Sequence, residues 1–275
     1  MGHELAASYA YCRRVARARA RNFYYAFLLL PRRRREAICA LYAFMRYCDD
    51  LSDEPGATRV AIEHWRAVLD GRPDPNPLWP AFRDTVARYR IPERYFHEII
   101  DGVASDLEPR RFETFAELYR YCYQVASAVG MATIHVFGFE SPEALPLAEK
   151  CGIAFQLTNI LRDIREDAER GRFYLPLEDL ARFGARVEEV MAGRRTAPVV
   201  ELLRFQTARA RAYYRESAPL VRLVDARSRG GLRALIGIYA RLLDRIEARG
   251  YDVFSGRVSL SPLEKSWIAI RALAP

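Results

Sequence analysis

Apolar residues recur along nearly the whole chain at the i, i+3, i+4 spacing of one helix face, and no stretch alternates apolar and polar residues long enough to make a strand. The pattern predicts an all-α protein. Residues 4–21 read as a first helix, and 22–30, NFYYAFLLL, as an aromatic–aliphatic block closed by Pro31. A helix over 36–54 ends at Asp53-Glu54-Pro55-Gly56, and others are expected over 58–70, 78–90, 92–109, 114–137 and 144–168. Residues 187–247 hold two or three more, with Arg229-Gly230-Gly231 as a junction, and a last helix starts near Leu263. The loop GRPDPNPLWP, 71–80, is too short to separate domains, and no repeat appears, so residues 1–275 are expected to form a single-domain helical bundle.

Two of these helices carry a polar stripe on an otherwise apolar surface. At about 100° per residue, with Gln156 at zero, Asn159 falls near about −60°, Asp163 about −20° and Asp167 about +20°. Leu157, Ile160, Leu161 and Ile164 fill much of the rest. On the upstream helix, with Tyr42 at zero, Arg46 lies near about +40°, Asp49 about −20° and Asp53 about +20°, with Asp50 at the edge. A polar stripe on so apolar a helix is expected to face a cavity. Carboxylates one turn apart repel, more so near the negative end of a helix. A divalent cation removes the conflict: Mg²⁺ takes oxygen ligands and commonly bridges one or two carboxylates to substrate phosphates, and Mn²⁺ accepts the same ligands. Asp49, Asp53, Asn159, Asp163 and Asp167 are the candidate metal ligands. The competing reading is a solvated charged face. After the second stripe, Gly171 breaks the helix, and Arg170, Arg172 and Tyr174 make a loop able to close over a phosphate and exclude water.

Composition narrows the picture. The formal net charge is +8, and all but two of the 43 basic residues are arginine, the exceptions being Lys150 and Lys265. Such a balance suits an anionic substrate or an anionic membrane, but also a GC-rich genome. The run Arg32–Arg35 reads either as a solvated first helical turn or as a peripheral contact with a membrane surface. No nucleic-acid-binding signature is present, so no nucleic-acid partner is expected. Cys12, Cys39, Cys48, Cys122 and Cys151 lack CxxC spacing and read as reduced core thiols, and no signal peptide is visible, so a cytoplasmic protein is expected. Glu-x-x-His pairs are missing, which excludes a helical di-iron site. A helical interaction scaffold is the non-enzymatic alternative. No histidine falls in either acidic motif, and His3, His64, His97 and His135 read as structural or exposed.

The words YAFMRYCDDLSDE (42–54) and QLTNILRDIREDAERGRFYLP (156–176) resemble those of the squalene/phytoene synthase family, the head-to-head prenyl synthases. NFYYAFLLLP (22–31), YCYQVASAVG (121–130) and RGYDVFSGRVSLS (249–261) support the likeness, which spans nearly the whole chain. The resemblance implies an isoprenoid-synthase-like bundle around a central cavity, and two prenyl diphosphates as substrates. It implies catalytic roles for Tyr42, Arg46, Asp49, Asp53, Asp163, Asp167 and Tyr174. Substrate contacts are implied for Phe23, Tyr121, Val125, Ala126, Gln156, Asn159, Arg162, Arg172 and Tyr239. Where the family often has Ser-x-Ser-Phe, this chain has Ala20-Arg21-Asn22-Phe23, so Arg21 or Asn22 is expected to replace the serine contacts. Farnesyl diphosphate is the expected substrate, giving presqualene diphosphate or a later triterpene; geranylgeranyl diphosphate, as in phytoene synthesis, is the alternative. The use of NADPH is left open. A tyrosine, a water or the released diphosphate is the expected proton acceptor.

Overall fold

Helices form wherever the apolar spacing called for them. The computed structural model describes residues 2–20, 22–53, 57–108 and 110–273, and of Asp53 the backbone alone. The long helices are α1 (His3–Arg19), α3 (Arg32–Asp53), α9 (Ala144–Glu169), α12 (Ala197–Ser217) and α14 (Ala226–Ala248). Between α1 and α3 lies the single-turn α2 (Phe23–Phe27). Then come α4 (Arg59–Leu69), α5 (Trp79–Tyr89), α6 (Arg94–Ser105), α7 (Phe115–Cys122) and α8 (Ala128–Phe137). Short helices α10 (Leu177–Phe183), α11 (Val187–Met191) and α13 (Leu220–Leu223) fill the connections, and α15 (Pro262–Ala272) closes the chain. Among the described residues the sole β pairing is an isolated antiparallel bridge between Phe139 and Val224. No helix among them is long and apolar enough to cross a membrane.

Two apolar clusters organise the bundle. One gathers α1, α3, α5, α6 and α8 around Phe44, Phe82 and Phe96. The other gathers α7, α12 and the later parts of α9 and α14 around Leu161, Leu203 and Ile246. Phe23 and Phe155 pack against both, so α2 and the middle of α9 lie where the clusters meet. Trp65 and Trp79 are core residues, stacked into the first cluster through Phe44. All five cysteines are buried, and burial pushes the thiols of Cys12, Cys39 and Cys151 up to about 12.

The structure departs from the sequence expectations at several places. Arg229, Gly230 and Gly231 are no junction; they lie inside α14. A Cβ on Gly231 would stand 2.8 Å from Leu30 Cδ2, so the residue is small because the turn after α2 packs on it. The segment expected as one helix over 114–137 is divided by a π turn, Tyr123–Ser127. Two glycines from neighbouring helices press on that wider turn. A Cβ on Gly102 of α6 would lie 2.6 Å from Val125 Cγ1, and one on Gly152 of α9 would lie 2.5 Å from Ser127 Cα. The second clash is with backbone, which has nowhere to go. Gly152→Ala will therefore destabilise the protein by at least about 1–3 kcal/mol, measured as a lower denaturant midpoint; an unchanged midpoint would mean the turn yields freely.

Candidate active site

Helix α9 ends in a way that aims the loop after it. Gly171, at φ +72°, occupies the left-handed position, its N–H bonds the Ala168 carbonyl at 2.9 Å, and the Arg172 N–H bonds the Asp167 carbonyl at 2.8 Å. This double closure is a Schellman motif. It folds Arg172 and Tyr174 back beside the acidic stripe. Beyond Pro176 the Leu177 and Glu178 N–H groups bond the Phe112 and Glu113 carbonyls, so the loop is held at both ends.

A cavity of about 540 Å³ lies between α2, α3, α6, the π turn, α8, α9 and α14. Tyr42, Arg46 and Asp49 of α3 line it, opposite Gln156, Asn159, Arg162, Asp163 and Asp167 of α9. Phe23, Tyr121, Val125, Ala126, Arg172, Tyr174 and Tyr239 complete the predicted part of the lining. Asn22 does not line it: as the residue before α2, it is turned about 100° from Phe23, which does. Arg21 and the side chain of Asp53 lie outside the described residues. A wider open groove of about 1120 Å³ runs beside Tyr11, Tyr47 and His64, but none of the predicted site residues whose side chains are described lines it.

The cavity has two chemically distinct ends. At the polar end Arg162 donates through Nε to Asp163 Oδ1 at 2.8 Å and through its second nitrogen to Oδ2. Arg257 adds an ion pair to the same carboxylate at 3.1 Å and one to Glu166 at 3.4 Å. Burial works against the Arg162 cation, but the hydrogen bonds and charge of Asp163 outweigh it and raise its pKa. Burial, with the charge of Asp163 next, pushes the Asp167 carboxyl up to about 7. Arg46 pairs with Asp50, which also takes Arg19 at 3.2 Å. Two polar atoms on this surface, Asn159 Oδ1 and Arg46 Nε, are buried without a hydrogen-bond partner among the described residues. Such orphans are costly unless a ligand completes them. Among the described residues no group of three or more His, Cys, Asp or Glu side chains is gathered for a metal ion; of the predicted ligands, Asp49 lines the cavity from α3, and Asn159, Asp163 and Asp167 line it from α9.

Tyr239 bridges the two ends: its hydroxyl bonds Arg162 and Asn159, while its ring stacks on Phe155, with centroids 4.5 Å apart, and lies 5.6 Å from Phe23, which in turn neighbours Tyr42 at 6.3 Å. Ile38, Leu41, Val129, Ile134, Leu232 and Leu235 continue the apolar lining.

Two site residues escaped the sequence analysis. Asp106, which lies in no polar stripe, lines the cavity and accepts hydrogen bonds from Tyr121 at 2.9 Å and Tyr174 at 3.1 Å. Its carbonyl and that of Ser52 both accept from Arg172, which thus ties the loop to the ends of α3 and α6. Arg257 sits in an irregular segment, where no helical period marks it as a site residue. The histidine expectation stands: none of the described histidines lines the cavity, and His64 and His97 pair with Asp74 and Asp70.

The fold has solved relatives. A dehydrosqualene synthase crystallised with a ligand superposes with TM-score 0.92 and 29% identity, covering 98% of this chain and 96% of that one. The bundle is thus the all-α, isoprenoid-synthase-like fold. The chain belongs to the squalene/phytoene synthase family, whose members are prenyltransferases, matching it over residues 16–264. Phytoene synthase 1 of Arabidopsis thaliana chloroplasts is 38% identical over 275 residues, covering 95% of this chain. This chain spans 65% of that relative's length. Phytoene synthase of Mycobacterium tuberculosis is 37% identical, covering 98% of this chain and 92% of its own.

Proposed function

We propose that the protein joins two molecules of one allylic prenyl diphosphate head to head, 1′–1. The observation that carries this is the polarity of one cavity. Acidic helices and arginines line one end, aromatic and aliphatic side chains the other, matching a charged head and a hydrocarbon tail.

Diphosphate leaves one substrate with the electrons of the C1–O bond, producing an allylic cation. The C2–C3 double bond of the second substrate attacks it, and loss of a proton closes a cyclopropane. Arg46, Arg162 and Arg172 are placed to bind the diphosphate oxygens by charge-assisted hydrogen bonds. Phe23, Tyr42, Tyr121 and Tyr239 line the same cavity, and their aromatic faces would stabilise the cation. Burial pushes the Tyr42 hydroxyl up to about 12 and raises those of Tyr121, Tyr174 and Tyr239 as well, so all four phenols are neutral at pH 7. Asp106 accepts hydrogen bonds from Tyr121 and Tyr174, which fixes those rings in place. In this reading water or the departing diphosphate takes the proton.

A divalent cation fits the residues present. The orphaned Asn159 Oδ1 lies on the stripe of Asp163 and Asp167, and a nearby cation would offset the burial and the Asp163 charge that disfavour the ionised Asp167 carboxylate. Asp49, Asn159, Asp163 and Asp167 would hold it, with Asp53 as the further candidate. When bound, Mg²⁺, or Mn²⁺ in its place, would neutralise charge on the leaving oxygens.

The names of the relatives divide on chain length. The sequence relatives, 36–38% identical, are phytoene synthases, while the solved neighbours include a dehydrosqualene and a squalene synthase; on the sequence relatives we take geranylgeranyl diphosphate over the farnesyl diphosphate expected from sequence. The test is product mass from each substrate, with and without NADPH. A C40 product from geranylgeranyl diphosphate, made faster than any C30 product, is expected. A C30 product alone would restore the farnesyl reading, and consumption of neither substrate would defeat both.

A further inference from the structure

Helix α15 is apolar on the side that faces out. Leu263, Trp267 and Ile270 lie within about 60° of one another around its axis, and they are 82%, 61% and 62% exposed. Leu273, at 61%, extends the stripe past the helix end. The opposite side is fixed: Ala269 and Ala272 are buried, and Gly237 of α14 leaves room for Ile268. A ready-made platform thus presents large apolar groups to the outside.

We propose that this face of α15 docks on the surface of an anionic lipid bilayer. Charge on the face points that way. The one acidic residue of the helix, Glu264, is already paired with Arg245 and Ser261. Arg271 is exposed beside the stripe, and Arg32 and Arg33 are exposed just beyond Leu28, itself 48% exposed on the adjoining turn after α2. Exposed apolar side chains with a tryptophan and a basic border are what an interfacial helix presents. A second copy of the chain fits less well. A helix of 11 residues is about 16 Å long, and its one outward face offers far less than the roughly 800 Å² per partner of a stable interface. The location also suits a lipid. Helix α2 stands between the stripe and the apolar end of the cavity: Phe23 and Phe27 line the cavity, while the Tyr25 ring lies 5.8 Å from Lys265 Nζ of α15.

This goes beyond the condensation chemistry and is tested without turnover. Of the three tryptophans, Trp65 and Trp79 are 3% and 4% exposed, so Trp267 reports on the face alone. The full chain is mixed with phosphatidylcholine vesicles, with and without phosphatidylglycerol. Co-sedimentation and a blue shift of tryptophan emission are expected with the anionic vesicles. Trp267→Phe should abolish the shift yet still sediment. Trp267→Glu with Ile270→Glu should weaken binding roughly tenfold or more, at an unchanged melting temperature. Indifference to vesicles, equal binding to neutral ones, or undiminished binding by the double variant would overturn the proposal. So would light scattering that shows a dimer which the double variant dissolves.

Discussion

Asp49→Ala and Asp163→Asn will each slow diphosphate release from a prenyl diphosphate by about a thousandfold or more, the scale of losing a principal charge-stabilising group at a reacting centre. The two positions face each other across the cavity from α3 and α9. They differ in what else they do. The Asp163 carboxylate is the partner of Arg162, whose side chain is 11% exposed, so its neutralisation also weakens the pairing of a buried cation, at a cost of about 1–3 kcal/mol. Asp49 is exposed at the C-terminal end of α3, where water reaches whatever its removal uncovers. Pyrophosphate release and thermal melting measured together separate these effects: both variants should lose turnover, and Asp163→Asn alone should also melt lower. Full activity in Asp49→Ala would remove the α3 stripe from the site.

Asp179→Ala will lower stability by about 3–5 kcal/mol, because it strands a buried cation. Asp179, 4% exposed, accepts from Gln206 at 2.8 Å and from Arg209 at 2.5 Å and 3.2 Å, locking α10 to α12. Arg209 in turn lies 3.9 Å above the Phe115 ring. The pair sits three residues past Pro176, so it anchors the loop that carries Arg172 and Tyr174. Replacing both members with apolar residues, Asp179→Leu with Arg209→Met, should recover most of the loss, since a buried ion pair is worth little against well-packed hydrophobes. Chemical denaturation decides the matter: a double variant no more stable than Asp179→Ala would show that the pair does more than satisfy itself.

Helical periodicity set the reach of what could be read in the sequence. The stripes on α3 and α9 are local patterns with one residue every 100° or so, and the structure opens both onto one cavity. Asp106 was out of reach because it sits just past the last turn of α6, and its partners are 15 and 68 residues away. Arg257 lies in an irregular stretch with no period to place it. The glycines of α14 were read as a break because local propensity disfavours glycine in a helix; here the crowding of Leu30 decides. Helices α10, α11 and α13, at seven, five and four residues, are too short to show a period.

The π turn is unreadable for a related reason: the apolar rhythm runs through it unbroken. Its widened loop holds one residue more than an ordinary turn would. That surplus sets the phase between the helical segments on its two sides. Deleting a single residue there would be no local repair; it would spin one segment through about 100° against the other. Tyr121 and Ala128 could not both keep their present addresses, so shortened versions of this stretch should be selected against more strongly than most substitutions within it.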